Sequence, residues 1–193
     1  SCEVYGNSDH IPVNEYAELR PHSPYAASKA AADRMCFAYY QSYGIEVTIL
    51  RPSNVYGQRQ KKGKGGAVIP IFAGLAEEGK PITVFGSGDQ RREYIHVSDL
   101  VNAYDLVLNR NDLAGVTLNV GTGETPSVIE IAKFIGGKSG VSIVNQTPRP
   151  GEVLGFTLDS SAIGKLGFVP QVKFWDGLNC YLTVTKSKPV LND

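Results

Sequence analysis

The chain has 193 residues, 42% of them hydrophobic, and its nineteen basic and nineteen acidic side chains leave no net charge. That length and apolar content suffice to bury a core, while the charge balance excludes a global field that would draw the chain to nucleic acid or to an anionic membrane surface. Three cysteines, Cys2, Cys36 and Cys180, have neither the even number of a disulfide framework nor the spacing of metal ligands, and no apolar run reaches the length of a membrane span. These features predict reduced thiols in an untargeted, cytoplasmic protein, with no metal, no nucleic acid and no membrane as partners.

After the opening SCEVYG and a polar stretch containing proline, residues 25–43 (YAASKAAADRMCFAYYQSY) are rich in alanine and free of breakers, which predicts a helix stopped by Gly44. Residues 45–51 (IEVTILR) are short, apolar and β-branched, as a buried parallel strand requires, and RPSNVYG is the strand-to-loop junction that follows. A Lys/Gly loop, KKGKGG, precedes an amphipathic helical stretch at 67–78, then short strands at 82–85 and 93–97. Residues 98–109 read as a helix with Ser98 as its N-cap, 117–120 as a strand and 127–135 as another capped helix; beyond residue 141 a strand, short helices and turns are mixed. The alternation predicts an α/β fold with a largely parallel sheet. No strand leads into G-x-G-x-x-G at a helix start. The glycine pairs of FGSGD and VGTGE lack the third glycine, so neither reads as a pyrophosphate cradle.

Tyr25 and Lys29 stand four apart on the predicted helix, so both side chains leave one face. An ammonium about 4 Å from a phenol contributes roughly 4 kcal/mol at an effective dielectric of about 20, enough to lower a pKa near 10 by about 3 units. A tyrosinate near neutrality takes a proton from a hydroxyl while hydride leaves the same carbon. Ten tyrosines and eleven lysines give about 0.6 such pairs by chance, so the pair needs company.

That company is SPYAASK one loop after SCEVYG, and RPSNVYG at the end of the next strand. Together they resemble the extended short-chain dehydrogenase/reductase family, in particular its NAD-dependent nucleotide-sugar epimerases and dehydratases. The resemblance implies the second half of a Rossmann-like parallel sheet plus a small α/β substrate-binding domain. Residues 1–58 would be the remainder of the NAD domain with the active-site helix, 59–92 a substrate-domain insertion, 93–122 returning Rossmann segments, and 123–193 a C-terminal substrate-binding region. It implies NAD as cofactor, beside Tyr25, Lys29 and Pro52, and a nucleotide-diphosphate sugar as substrate. Ser1, four before the VYG tyrosine, takes the place of the residue that bonds the sugar hydroxyl being oxidised. Asn54 matches an asparagine that contacts the diphosphate region.

FGSGDQRREYIHVSDL is similar to the family's G-x-G-x-x-R-[DE]-Y-[IV]-H-V-x-D block, which sets Arg92 against a phosphate. TPRPGE resembles its R-x-G-[DE] motif, so that Arg149 faces the diphosphate and Glu152 the nucleoside ribose; the planar arginine fork suits phosphate oxygens. The NVGTG turn reads as structural, and His96 as a satisfied, half-buried histidine. Sugar 4,6-dehydratases of the family carry an acid pair after the Ser/Thr, or at least its Glu. Here the pair is Cys2-Glu3, and a neutral thiol is a weak proton donor. The reading is therefore a UDP-sugar 4-epimerase working through a 4-keto intermediate, with a 4,6-dehydratase using Glu3 as the alternative. The family's glycine-rich first βα unit is expected outside these residues, which leaves a sheet edge uncovered and raises a second alternative, a non-catalytic fragment. A homodimer of the intact protein, packed through the active-site helix, is implied by resemblance alone.

Overall fold

The computed structural model describes residues 1–8, 10–60, 67–148, 155 and 157–186. A short 3-10 helix, Cys2–Tyr5, is followed by helix α1 (Pro24–Tyr43), strands β1 (Ile49–Pro52) and β2 (Asn54–Tyr56), α2 (Val68–Glu77), β3 (Ile82–Phe85), β4 (Tyr94–His96), α3 (Val97–Leu108), β5 (Thr117–Val120), α4 (Val128–Ser139), β6 (Ile143–Gln146), α5 (Ser161–Lys165) and α6 (Phe174–Lys186). Among the described residues three strand pairs form, β1 with β5, β2 with β4 and β3 with β6, and all three are parallel. Parallel partners need crossovers, and the intervening helices supply them. None of the described helices is long and apolar enough to cross a membrane.

The expected α/β architecture is present, with informative shifts at element ends. The strand expected at 45–51 begins only at Ile49, although Gly115 N–H still bonds Val47 carbonyl at 2.7 Å. RPSNVYG is not merely a junction. Ser53 gives its N–H to Val120 at 2.9 Å, the chain then leaves β5, and Asn54–Tyr56 pairs with β4 instead. Helix α3 is capped by His96, not Ser98: the imidazole accepts from the Ser98 N–H, and Nδ1 lies 2.7 Å from Ser98 Oγ. His96 is thus satisfied and half-buried, as expected. Helix α4 runs past Gly136 and Gly137 to Ser139, because Ser127 and Glu130 close a capping box and Ile131 and Ile135 are fully buried.

One core gathers α2, α4, α6 and β3; a second lies between β4, β5, α3 and α5. A third, smaller cluster joins the 3-10 helix to Ala30, Val13 and Leu158. Helix α1 buries only a narrow strip of side chains, Ala26, Ala30 and Asp33. The two alanines let the helix come close to the 3-10 helix, and Asp33 ends the strip with a charge.

That charge is met by Arg51 of β1, only 2% exposed, whose Nε and Nη2 bond the Asp33 carboxylate at 2.8 and 3.0 Å. Arg51 Nη1 also donates to Tyr5 Oη at 2.8 Å and to the Glu15 carbonyl at 3.1 Å. Tyr5 Oη donates onward to Asn119 Oδ1 at 2.7 Å, and Asn119 Nδ2 donates to the Val13 carbonyl at 2.9 Å. Burial alone would raise the Asp33 carboxyl, but the hydrogen bonds and charges of Arg51 and Arg34 outweigh it and hold the group below its ordinary value. A depressed folded pKa means that the stabilisation is present above the unfolded value near 4 and is lost as pH falls through the folded one. Arg51→Met should therefore cost up to about 3–5 kcal/mol, because the buried carboxylate keeps only the half-exposed Arg34 and Tyr5 Oη loses its donor, and should weaken the acid dependence of stability. Urea titrations between pH 3 and 7 measure both; a loss below about 1 kcal/mol would refute the account.

Candidate active site

A cleft of about 510 Å³ opens where the 3-10 helix, α1 and the ends of β1 and β2 meet, with Tyr104 of α3 on its wall. Each wall is placed by an identifiable local cause. Ser23 caps α1 by accepting from the Ala26 N–H at 3.1 Å, and Pro24 occupies the first helical turn, which sets Tyr25 at the helix mouth. Lys29, one turn on, holds its Nζ 5.4 Å from the centroid of the Tyr25 ring, a cation–π arrangement. Ser1 caps the 3-10 helix through Oγ, which accepts from the Glu3 N–H at 3.3 Å. Pro52 ends β1 and Asn54 starts β2, its Nδ2 donating to the Glu93 carbonyl at 3.0 Å.

Of the residues expected at the site, Ser1, Glu3, Tyr25, Lys29, Pro52 and Asn54 all line this cleft. Arg92 does not: its Nη1 donates to the Arg91 carbonyl at 2.8 Å, and its side chain belongs to the β4 end of the molecule. Arg149 and Glu152 lie outside the described residues. Ser53 and Tyr104 line the cleft too, without having been singled out. Ser53 sits inside the RPSNVYG motif, so its neighbourhood was visible; Tyr104 comes from a distant helix and carried no signal in the sequence.

Cys2 and Glu3 differ sharply. The Cys2 thiol is 2% exposed, and burial first, then the Glu3 charge, pushes it up to about 12. Glu3 stays half-buried on the cleft wall. A thiol so placed remains protonated and inert, while a carboxylate beside Tyr25 is available for proton transfer.

The GTG turn after β5 has the look of an anion nest, and it holds an anion from within the chain. The amides of Thr122 and Gly123 both donate to Glu93 Oε1 at 2.7 Å, and Leu158 N–H donates to Oε2 at 2.7 Å. Burial raises the Glu93 carboxyl and these three amides pull it back. A Cβ on Gly121 would overlap Glu93 Oε1, so glycine there is a packing requirement. These amides are consumed internally and offer nothing to a phosphate.

The sequence model of the NAD dependent epimerase/dehydratase family matches residues 1–121. A putative UDP-glucose 4-epimerase of Methanocaldococcus jannaschii is 36% identical over 179 residues, covering 91% of this chain and 57% of that protein. A dTDP-glucose 4,6-dehydratase of Streptomyces niveus is also 36% identical, covering 91% of this chain and 52% of that protein. Among solved structures, UDP-glucose 4-epimerase of Thermotoga maritima with UDP-glucose superposes with a TM-score of 0.89 at 29% identity, over 96% of this chain and 60% of that one. The dTDP-glucose 4,6-dehydratase of Streptomyces venezuelae with NAD bound gives a TM-score of 0.87 at 33% identity, over 95% and 57% respectively. The chain thus spans a little over half the length of the curated relatives it matches.

The thiols give a direct check on the cleft wall. At pH 8 a disulfide reagent should label the exposed Cys36 and Cys180 rapidly and spare Cys2 until denaturant is added. Three fast thiols in the native protein would contradict the placement of the 3-10 helix.

Proposed function

This chain belongs to the NAD-dependent epimerase/dehydratase family, and on that premise we propose that it carries the acid-base apparatus of a nucleotide-sugar 4-epimerase acting on a UDP-sugar. The observation that carries the reading is the convergence of Tyr25, Lys29, Ser1 and Glu3 on one cleft.

Tyr25 Oη takes the proton from the sugar hydroxyl being oxidised, and Ser1 Oγ, which both donates and accepts, holds that hydroxyl. The Lys29 ammonium lies over the Tyr25 ring, a cation–π contact that holds the two side chains together on one cleft wall. Once a 4-keto sugar has formed and turned, Tyr25 returns its proton to the opposite face product. The chemistry that NAD supplies when bound is acceptance and return of a hydride at the same carbon. Lys29, Tyr25 and the apolar Pro52 wall suit the nicotinamide riboside end, whereas the GTG amides are spent on Glu93, so the described residues hold no evident seat for the pyrophosphate. Asn54 meets the substrate from the β2 end of the cleft, and Arg92, Arg149 and Glu152 serve the diphosphate and ribose by resemblance.

A second reading, a 4,6-dehydratase, is favoured by one feature: Glu3 lines the cleft beside Tyr25 and could exchange a proton at a neighbouring sugar carbon. Cys2, protonated and buried, offers no second acid for the leaving hydroxyl. A cytoplasmic homodimer is part of the proposal, supported by the exposed Met35, Tyr39 and Tyr43 on α1.

Incubation of the protein with NAD and UDP-glucose or UDP-N-acetylglucosamine should yield the 4-epimer. A 4-keto-6-deoxy product absorbing in alkali, with no 4-epimer, would replace this reading by the dehydratase one. Tyr25→Phe should lower kcat by about 10²–10⁴-fold with little change in KM, since it deletes only the proton carrier.

A further inference from the structure

Ser53 has a hydroxyl that nothing in the fold explains. It stands at the break between β1 and β2, its N–H spent on the Val120 carbonyl at 2.9 Å, and its side chain is only 4% exposed. Among the described residues its Oγ is one of three shielded side-chain polar atoms without a hydrogen-bond partner, the others being Gln60 Oε1 and Tyr181 Oη. Of these three residues, only Ser53 lines the cleft that contains Tyr25 and Lys29.

The contrast with other hydroxyls is instructive. Thr48 Oγ1 donates to the Leu113 carbonyl and Thr122 Oγ1 to the Tyr94 carbonyl, each at 2.8 Å. Beside Ser53, Pro52 has no N–H and Asn54 Nδ2 is committed to Glu93. A desolvated hydroxyl without a partner is less favourable than a methyl in the same space. For the fold alone, alanine would serve this position better than serine.

We propose that Ser53 is a ligand-contacting residue, whose hydroxyl bonds a neutral polar group, a hydroxyl or an amide, of the molecule that occupies the cleft. Ser53 lines the cleft, and a hydroxyl that no partner holds is free to turn about χ1 to meet a ligand. A hydroxyl or an amide can use both the donor and the acceptor of Oγ, whereas a charged group uses only one of them; charge at the cleft is left to Lys29 and Glu3. The inference rests on the cleft being the active site, and it adds a donor and acceptor at the strand break, between Pro52 and Asn54.

Two variants test it. Ser53→Ala should leave Tm unchanged or raised, because no intramolecular bond is lost, yet weaken binding of NAD or of UDP-glucose, titrated separately by calorimetry, by roughly 5- to 20-fold. Which titration changes tells whether the partner group belongs to the cofactor or to the sugar nucleotide. Ser53→Cys, in a Cys36→Ser and Cys180→Ser background, should react with a small methanethiosulfonate reagent under native conditions, with the buried Cys2 as the unreactive internal control. A Ser53→Ala variant that melts several degrees lower, a Ser53→Cys thiol as inert as Cys2, or unchanged affinity for both probes would each overturn the proposal. A chain that binds neither probe contradicts the proposed function instead, and the melting and labelling results then decide this inference alone.

Discussion

The ion pair between Asp33 and Arg51 is the contact on which the site depends. Both groups are buried, so each has given up water, and a bare pair in such a place is rarely a net gain. Here the arginine fork is bidentate on the carboxylate, and its remaining Nη1 is taken up by Tyr5 and Glu15. The arrangement fixes three elements to one another. Asp33 lies one helical turn beyond Lys29, Arg51 precedes Pro52, and Tyr5 ends the 3-10 helix that carries Ser1 and Glu3. The cleft walls keep their register because one guanidinium spans them. Asn119, fully buried, extends the same network to β5 and to the Val13 segment.

Glu93 plays a comparable part on the other side of β5. Its carboxylate gathers the GTG turn and the Leu158 segment, while its carbonyl receives both the backbone N–H and the side-chain amide of Asn54. Two buried acidic side chains, Asp33 paired with arginine and Glu93 held by three backbone amides, thus anchor the segments on either side of the cleft. The NVGTG turn, read from its motif as structural, is a seat for an internal side chain, and only the position of Glu93 discloses which one.

Burial also divides the chemistry of adjacent residues. Cys2 and Glu3 are neighbours in sequence and both border the cleft, yet Cys2 is buried in the cluster with Val13 and Ala30 while Glu3 stays half-buried. One becomes inert and the other usable. The same logic distinguishes Ser53 from the hydroxyls around it, since shielding without a partner is unfavourable in the empty protein and becomes useful only when a ligand supplies the missing bond.

The amino-acid sequence by itself determined what depends on neighbours along the chain. The α1 helix with its Gly44 stop, the 82–85 and 117–120 strands, the Ser127 cap, and the four-residue spacing of Tyr25 and Lys29 all follow from local propensity and periodicity. Its motifs also point to Ser1, Glu3, Pro52 and Asn54, all of which line one cleft. Tertiary structure alone decided the rest: that Asn54–Tyr56 leaves β5 to pair with β4, that Arg92 stays out of the cleft, that Tyr104 enters it, and that Arg51, Asp33, Tyr5 and Asn119 form one network. The physical reason is distance along the chain. Residues 5, 33, 51 and 119 share no periodicity, and whether a buried charge or hydroxyl finds a partner depends on which strands lie side by side, which no local pattern encodes.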